Sequence, residues 1–114
     1  MTDDRPTIVT QPTDNPQEAF QNATLRPVLK QQDHLLREVF RMFLKKRKVR
    51  LEQLPAAKRG EKIKELVSRD NRLRGLLFGV VIGRFTAEEM EHYVEHESDV
   101  NRRLTTLLTQ RLGS

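Results

Sequence analysis

The stretch Leu73-Arg-Gly-Leu-Leu-Phe-Gly-Val-Val-Ile-Gly-Arg-Phe85 decides how this chain is read. It is the only segment that is apolar nearly all the way round. Gly75, Gly79 and Gly83 recur every four residues, so on a helix they share one face and leave a smooth groove there. A glycine inside a helix costs about 1 kcal/mol relative to alanine. Three in one helix point to close backbone approach by a neighbour. The segment is therefore expected to be a buried central helix, with Gly75, Gly79 and Gly83 as helix-packing positions. Either another helix of this chain or a second copy would lie against them.

Amphipathic patterns flank this segment on both sides. Upstream, Leu25, Val28, Leu29, Leu35, Leu36, Val39, Phe40 and Phe43 fall at offsets of three and four, interrupted only by Gln32. That spacing predicts one long helix with a single buried face. Thr24 is placed to cap it, with Pro27 in the first turn, where a missing N–H costs little. The stripe fades at Lys45-Lys-Arg-Lys-Val-Arg50. Pro55 opens a second helix, whose short apolar face is Ile63, Leu66 and Val67. Asp70 stands as the cap of the glycine-striped helix. Thr86-Ala-Glu-Glu89 has the spacing of a capping box. It begins a helix expected to turn Ala87, Met90, Tyr93 and Val94 inward. Ser98 is the expected cap of the last helix, with Val100, Leu104, Leu107, Leu108 and Leu112 as its stripe and Gly113 as its stop. The expected fold class is all-α: a small bundle of four to five helices, whose short connections favour antiparallel neighbours.

A chain of 114 residues suggests one domain. Residues 1–19 are rich in Thr, Pro, Asp and Gln and are read as a disordered acidic tail, with a helical turn beginning near Asn15-Pro16. Residues 20–114 form the helical domain. An apolar share of 36% is modest for this length, and Met42 and Leu44 lie beside the first helix's main stripe. Both observations favour self-association. The chain has no cysteine, which rules out disulfides and Cys-based zinc sites and fits a reducing compartment. The N-terminal residues lack the layout of a secretory signal, and no apolar run approaches the ~20 residues that span a bilayer. A cytoplasmic protein with no membrane contact is expected.

Charge is unevenly placed. Residues 1–19 carry −3, residues 20–84 carry +11, residues 85–99 carry −6 and residues 100–114 carry +3, for a net charge of +5. A basic body beside an acidic strip attracts nucleic acid, and it also lets one copy dock head to tail on another. The densest basic run supplies Lys45, Lys46, Arg47, Lys48 and Arg50, followed by Lys58, Arg59 and Lys62. These are candidate phosphate contacts acting through counterion release. Base readout would need a helix placed in a groove or exposed aromatic rings, and most of the aromatic residues fall on apolar stripes.

His92-Tyr-Val-Glu-His96 has the letters of an inverted zincin motif. Two histidines four residues apart on a helix can chelate zinc, and Glu88 sits one turn earlier. A catalytic zinc needs a third protein ligand and a cleft for substrate, and the only other histidine is His34. His92, His96 and Glu88 are therefore read as a polar helix face, and no metal or other cofactor is expected.

Phe20-Gln-Asn22 with Thr24-Leu-Arg-Pro-Val-Leu-Lys30, the segment from Leu73 to Glu89, and Asn101-Arg-Arg-Leu104 resemble a family of short bacterial helical proteins often labelled glyoxalase. The match covers roughly residues 20–112. Glyoxalase I enzymes are built from βαβββ modules that bind metal through His and Glu on strands. Glyoxalase II enzymes carry a His-x-His-x-Asp-His motif. Neither pattern stands in this chain, so no catalytic residue carries over, and the resemblance implies a compact helical domain. The expected role is a small, non-enzymatic cytoplasmic interaction protein that forms homo-oligomers. Nucleic-acid association through residues 45–50 and 58–74 is the alternative, and metal-dependent activity at His92 and His96 is a weaker one.

Overall fold

A computed structural model describes residues 5–6 and 13–114; the other parts of the expected tail, 1–4 and 7–12, lie outside the described residues. All regular elements among the described residues are helical. The first helix, α1 (Pro16–Phe20), begins where Asn15-Pro16 suggested a turn. The Asn15 side chain accepts hydrogen bonds from the backbone N–H groups of Gln17 and Glu18. A π turn, Gln21–Leu25, joins α1 to α2 (Arg26–Gln31) without a break. Thr24 is therefore not a helix cap. It lies buried inside the π turn, and its hydroxyl serves a distant carboxylate instead.

Gln32 is the one polar interruption in the long apolar stripe, and it splits the expected single helix. Its backbone leaves helical geometry at φ −97° and ψ 8°, and α3 (Asp33–Arg47) follows. Its side-chain Nε2 donates to the Val80 carbonyl oxygen at 3.3 Å. The basic run closes α3, with Lys48 in the left-handed region at φ 55°. That conformation lets the Val49 N–H reach back to the Leu44 carbonyl at 2.9 Å.

A 3-10 turn, Leu51–Gln53, leads into α4 (Ala56–Arg69). Asp70 caps α5 (Asn71–Ile82) as expected, accepting from Arg72 N–H at 3.1 Å and Leu73 N–H at 3.0 Å. The capping box also forms: at the start of α6 (Ala87–Glu95), Thr86 Oγ1 accepts from Glu89 N–H while Glu89 Oε1 accepts from Thr86 N–H. The last helix, α7 (Glu97–Leu112), starts before Ser98: His96 holds the cap position, and Ser98 lies inside the first turn. With α1, the π turn and α2 counted as one rod, six helices are present among the described residues rather than four to five.

The core forms where α4 packs along α7, α3 along α5, and α4 against α5. Leu25, Leu36, Leu73, Leu77, Leu104 and Leu108 are fully buried within it. The glycine-striped helix is not the buried centre the sequence suggested. It buries Leu73, Leu77, Phe78 and Val81, while Gly75 and Gly79 face outward, and a Cβ at either would meet nothing within 4 Å. Only Gly83 is tight: a Cβ there would lie 3.0 Å from the Gly79 carbonyl oxygen of its own helix. Among the described residues, Gly75, Gly79 and Gly83 are thus not packing positions against another helix of this chain. The reason is competition for the interior. Burial stabilises by roughly 25 cal/mol per Å² of apolar surface, so the large side chains at 73, 77, 78 and 81 win the inward face.

The same competition corrects α6. Tyr93 is its one buried side chain, whereas Met90 and Val94 are exposed at 39% and 63%, and Ala87 is exposed as well. On α3, Leu36, Phe40 and Phe43 turn inward, which leaves the adjoining Leu35 and Met42 at the surface. Among the described residues, no helix is long and apolar enough to cross a membrane.

Candidate functional site

Five arginines converge where α2 faces α7. Arg26, Arg37 and Arg111 line one half of this groove, about 350 Å³ in volume. Arg26, Arg102 and Arg103 line a second half of about 200 Å³. The two halves share Arg26, Leu107 and Gln110. Two aspartates orient the guanidinium groups. Asp33 accepts from Arg37 Nε and Arg111 Nη1, both at 3.0 Å. Asp99 accepts from Arg102 and, at 3.2 Å, from Arg103 Nε. Arg103 Nη1 also donates to Gln21 Oε1 at 3.1 Å. Arg26 binds only the Asn22 side chain, through Nε at 3.3 Å, so its two terminal nitrogens point to no protein acceptor among the described residues.

Burial pushes the Asp33 carboxyl up, but hydrogen bonds and charge from Arg111 and Arg37 outweigh it and hold Asp33 below the ordinary carboxylate range. Asp99 is likewise held low: desolvation raises its carboxyl, but the hydrogen bonds and charge of Arg102 and Arg103 together outweigh it. Both aspartates are therefore ionised at neutral pH. Even so, five guanidinium side chains meet two carboxylate side chains, and the groove keeps a surplus of positive charge. The signal for this site was present in the sequence. Arg103, Leu107, Gln110 and Arg111 are spaced to share one side of α7, but Leu107 belongs to the buried stripe as well, which masks the polar side in the sequence pattern.

The sequence candidates fall elsewhere. Lys45, Lys46, Arg47, Lys48 and Arg50 are exposed around the end of α3, as are Lys58 and Arg59 on α4, while Lys62 is half-buried. Several are engaged locally. Arg59 donates to the Leu54 and Glu52 carbonyls at 3.0 and 3.2 Å. Arg47 lies 3.5 Å from Asp70 and its guanidinium stacks 5.0 Å from the Phe43 ring centre. Lys62 lies 3.5 Å from Glu65.

The histidine pair is brought together, but around a glutamine. Gln17 of α1 accepts from or donates to both rings: its Oε1 is 2.9 Å from His92 Nε2, and its Nε2 is 3.1 Å from His96 Nδ1. His92 also stacks on Phe20 at 4.3 Å. Glu88 does not join them, and among the described residues no group of three or more His, Asp or Glu side chains is placed to hold a metal ion. The pair fastens α1 to α6.

Two apolar surface patches complete the picture. Met42 and Phe43 of α3 and Leu76 of α5 form a small groove of about 90 Å³ edged by Lys46, Arg47 and Arg72. On α6, Ala87, Met90 and Val94 form an open apolar surface bordered by Glu91 and Glu95. No protein-family model matches the chain, and neither a curated protein nor a solved structure is similar to it.

Proposed function

We propose that this chain is a small cytoplasmic interaction protein that self-associates, with copies docking head to tail. The observation that carries this reading is the complementarity of the two apolar patches. The groove of Met42 and Leu76 has a basic rim, Lys46, Arg47 and Arg72. The open apolar surface of Met90 and Val94 has an acidic rim, Glu91 and Glu95, with Glu88 on the same helix. Single exposed apolar residues are ordinary. Two apolar patches with rims of opposite charge suit each other, and complementary charge sets register and suppresses wrong pairings. The outward Gly75 and Gly79 add a smooth strip beside Leu76 on which a partner helix can lie close.

Different patches meeting in this way make a heterologous contact, which extends into chains or closes into rings. Sedimentation velocity across roughly 5 to 200 μM tests the reading. The expected result is concentration-dependent assembly that weakens with added salt, since rim charges are screened over about 10 Å at 0.1 M. A strict monomer throughout would overturn it.

A further inference from the structure

We infer that the arginine groove between α2 and α7 is a binding site for a short phosphate chain. This inference is independent of self-association, because none of the groove's lining residues belongs to either apolar patch.

The groove is furnished for an oxyanion. Guanidinium groups present planar forks of N–H donors that match phosphate oxygens in pairs. Arg26 sits at the junction of the two halves with both terminal nitrogens open. Arg111 uses Nη1 on Asp33, and Arg103 uses Nε and Nη1 on Asp99 and Gln21. Each keeps further N–H groups for a ligand. Arg37 is different: Asp33 takes its Nε, and the Arg111 and Ser114 carbonyl oxygens take its other nitrogens at 2.9 and 3.4 Å. It is a positioning residue that holds the end of α7 against α3.

The ligand must also be long. Arg103 and Arg111 stand eight residues apart on one helix, a rise of about 12 Å, with Arg26 between them across the groove. A single phosphate or carboxylate cannot engage that span, whereas two or three linked phosphates can. The surplus positive charge favours the high charge density of a phosphate chain. Gln110, shared by both halves, adds an amide donor for a bridging or terminal oxygen. Leu29 and Leu107 form a small apolar floor. No aromatic ring lines either half, so recognition falls on the phosphates and not on a nucleobase.

Isothermal titration of the full chain with sodium tripolyphosphate in 50 mM NaCl tests this. Saturable binding is expected, weakened about tenfold or more by Arg26→Gln, in line with the loss of a charge-assisted pair. Arg111→Gln is a second, independent variant expected to act in the same direction, and unchanged circular dichroism shows that each variant is folded. Arg41→Gln, on the exposed side of α3 outside the groove, is expected to change affinity by less than twofold. ATP is expected to displace tripolyphosphate through its own phosphate chain, and its relative affinity distinguishes the source: tighter binding than tripolyphosphate points to a nucleotide, and weaker binding to an inorganic polyphosphate. Absence of binding at 1 mM tripolyphosphate overturns the inference. So does an equal loss with Arg41→Gln, which would mean diffuse charge attraction, or equal affinity for succinate.

Discussion

The Thr24 hydroxyl donates to Glu89 Oε2 at 2.8 Å, joining the π turn to α6 across 65 residues of chain. Arg5 Nη1 meets the same carboxylate oxygen at 2.6 Å, and both side chains of that ion pair are largely shielded from solvent. Glu89 Oε1 at the same time closes the capping box with Thr86. Burial pushes the Glu89 pKa up, but Arg5, the Thr86 N–H and the Thr24 hydroxyl together pull it below the ordinary 4.5. A depressed carboxylate pKa stabilises the fold above the unfolded value, and that contribution is lost as pH falls through the folded value. Glu89→Ala is expected to destabilise by about 2–3 kcal/mol at pH 7, from a lost cap and lost charge-assisted bonds. In urea titrations, the gap between wild type and variant should shrink toward pH 3.

The clasp of His92, His96 and Gln17 predicts a second pH response. Burial of the His92 ring, together with neighbouring His96, lowers its pKa below 6.5, while Glu95 acts in the opposite direction. The fold therefore prefers the neutral ring. Its stabilisation is present above about 6.5, the unfolded value, and is lost as pH falls through the folded one. Melting temperature measured between pH 8 and 5 should fall through this window. His92→Phe keeps the stack on Phe20 but removes the titrating group, and should flatten that slope.

Gly75 and Gly79 lie on an open helix face where an added Cβ meets no atom within 4 Å. Gly75→Ala and Gly79→Ala are each expected to stabilise the single chain by about 1 kcal/mol, the helix-propensity difference. Thermal melts at a few micromolar, where association is weak, will measure this. A loss of stability would mean that the face is packed after all.

Lys48 holds a left-handed conformation at φ 55° to end α3. That geometry costs a residue with a Cβ roughly 1–2 kcal/mol and costs glycine little. Lys48→Gly is expected to stabilise by about 0.5–1 kcal/mol, read as a shift in the urea midpoint at unchanged slope.

Head-to-tail docking makes a distinctive mixing prediction. Leu76→Glu blocks the basic-rimmed groove, and Val94→Lys blocks the acidic-rimmed patch; both positions are exposed, at 40% and 63%. Each variant alone should sediment as a monomer. Mixed one to one, they should form dimers, because one copy keeps its acidic-rimmed patch and the other its basic-rimmed groove. A mixture that stays monomeric would exclude two different patches meeting in the contact.

Much of the secondary structure was legible because it depends on near neighbours. Asp70 and the Thr86–Glu89 pair announce their helix starts through bonds that span two or three residues. The stripe of α7 follows from offsets of three and four, and all its leucines are buried as that pattern implies. Gln32 was visible as an interruption, but its effect was not. Whether a helix tolerates one polar residue or bends there depends on the distant Val80 carbonyl that receives its amide. Thr24 misled for a similar reason, since its partner is 65 residues away.

The chain by itself determined that it is helical, where most helices start, and that its charge is divided between a basic body and an acidic strip. Those properties reside in residues within a turn of each other. Only the tertiary arrangement decided which side of α5 faces inward, that Met90 and Val94 stay at the surface, and that five arginines share one groove. A helix that is apolar nearly all round has several sides it can bury. The choice falls to whichever side fills the space left by α3 and α4, and that space exists only once the helices have assembled.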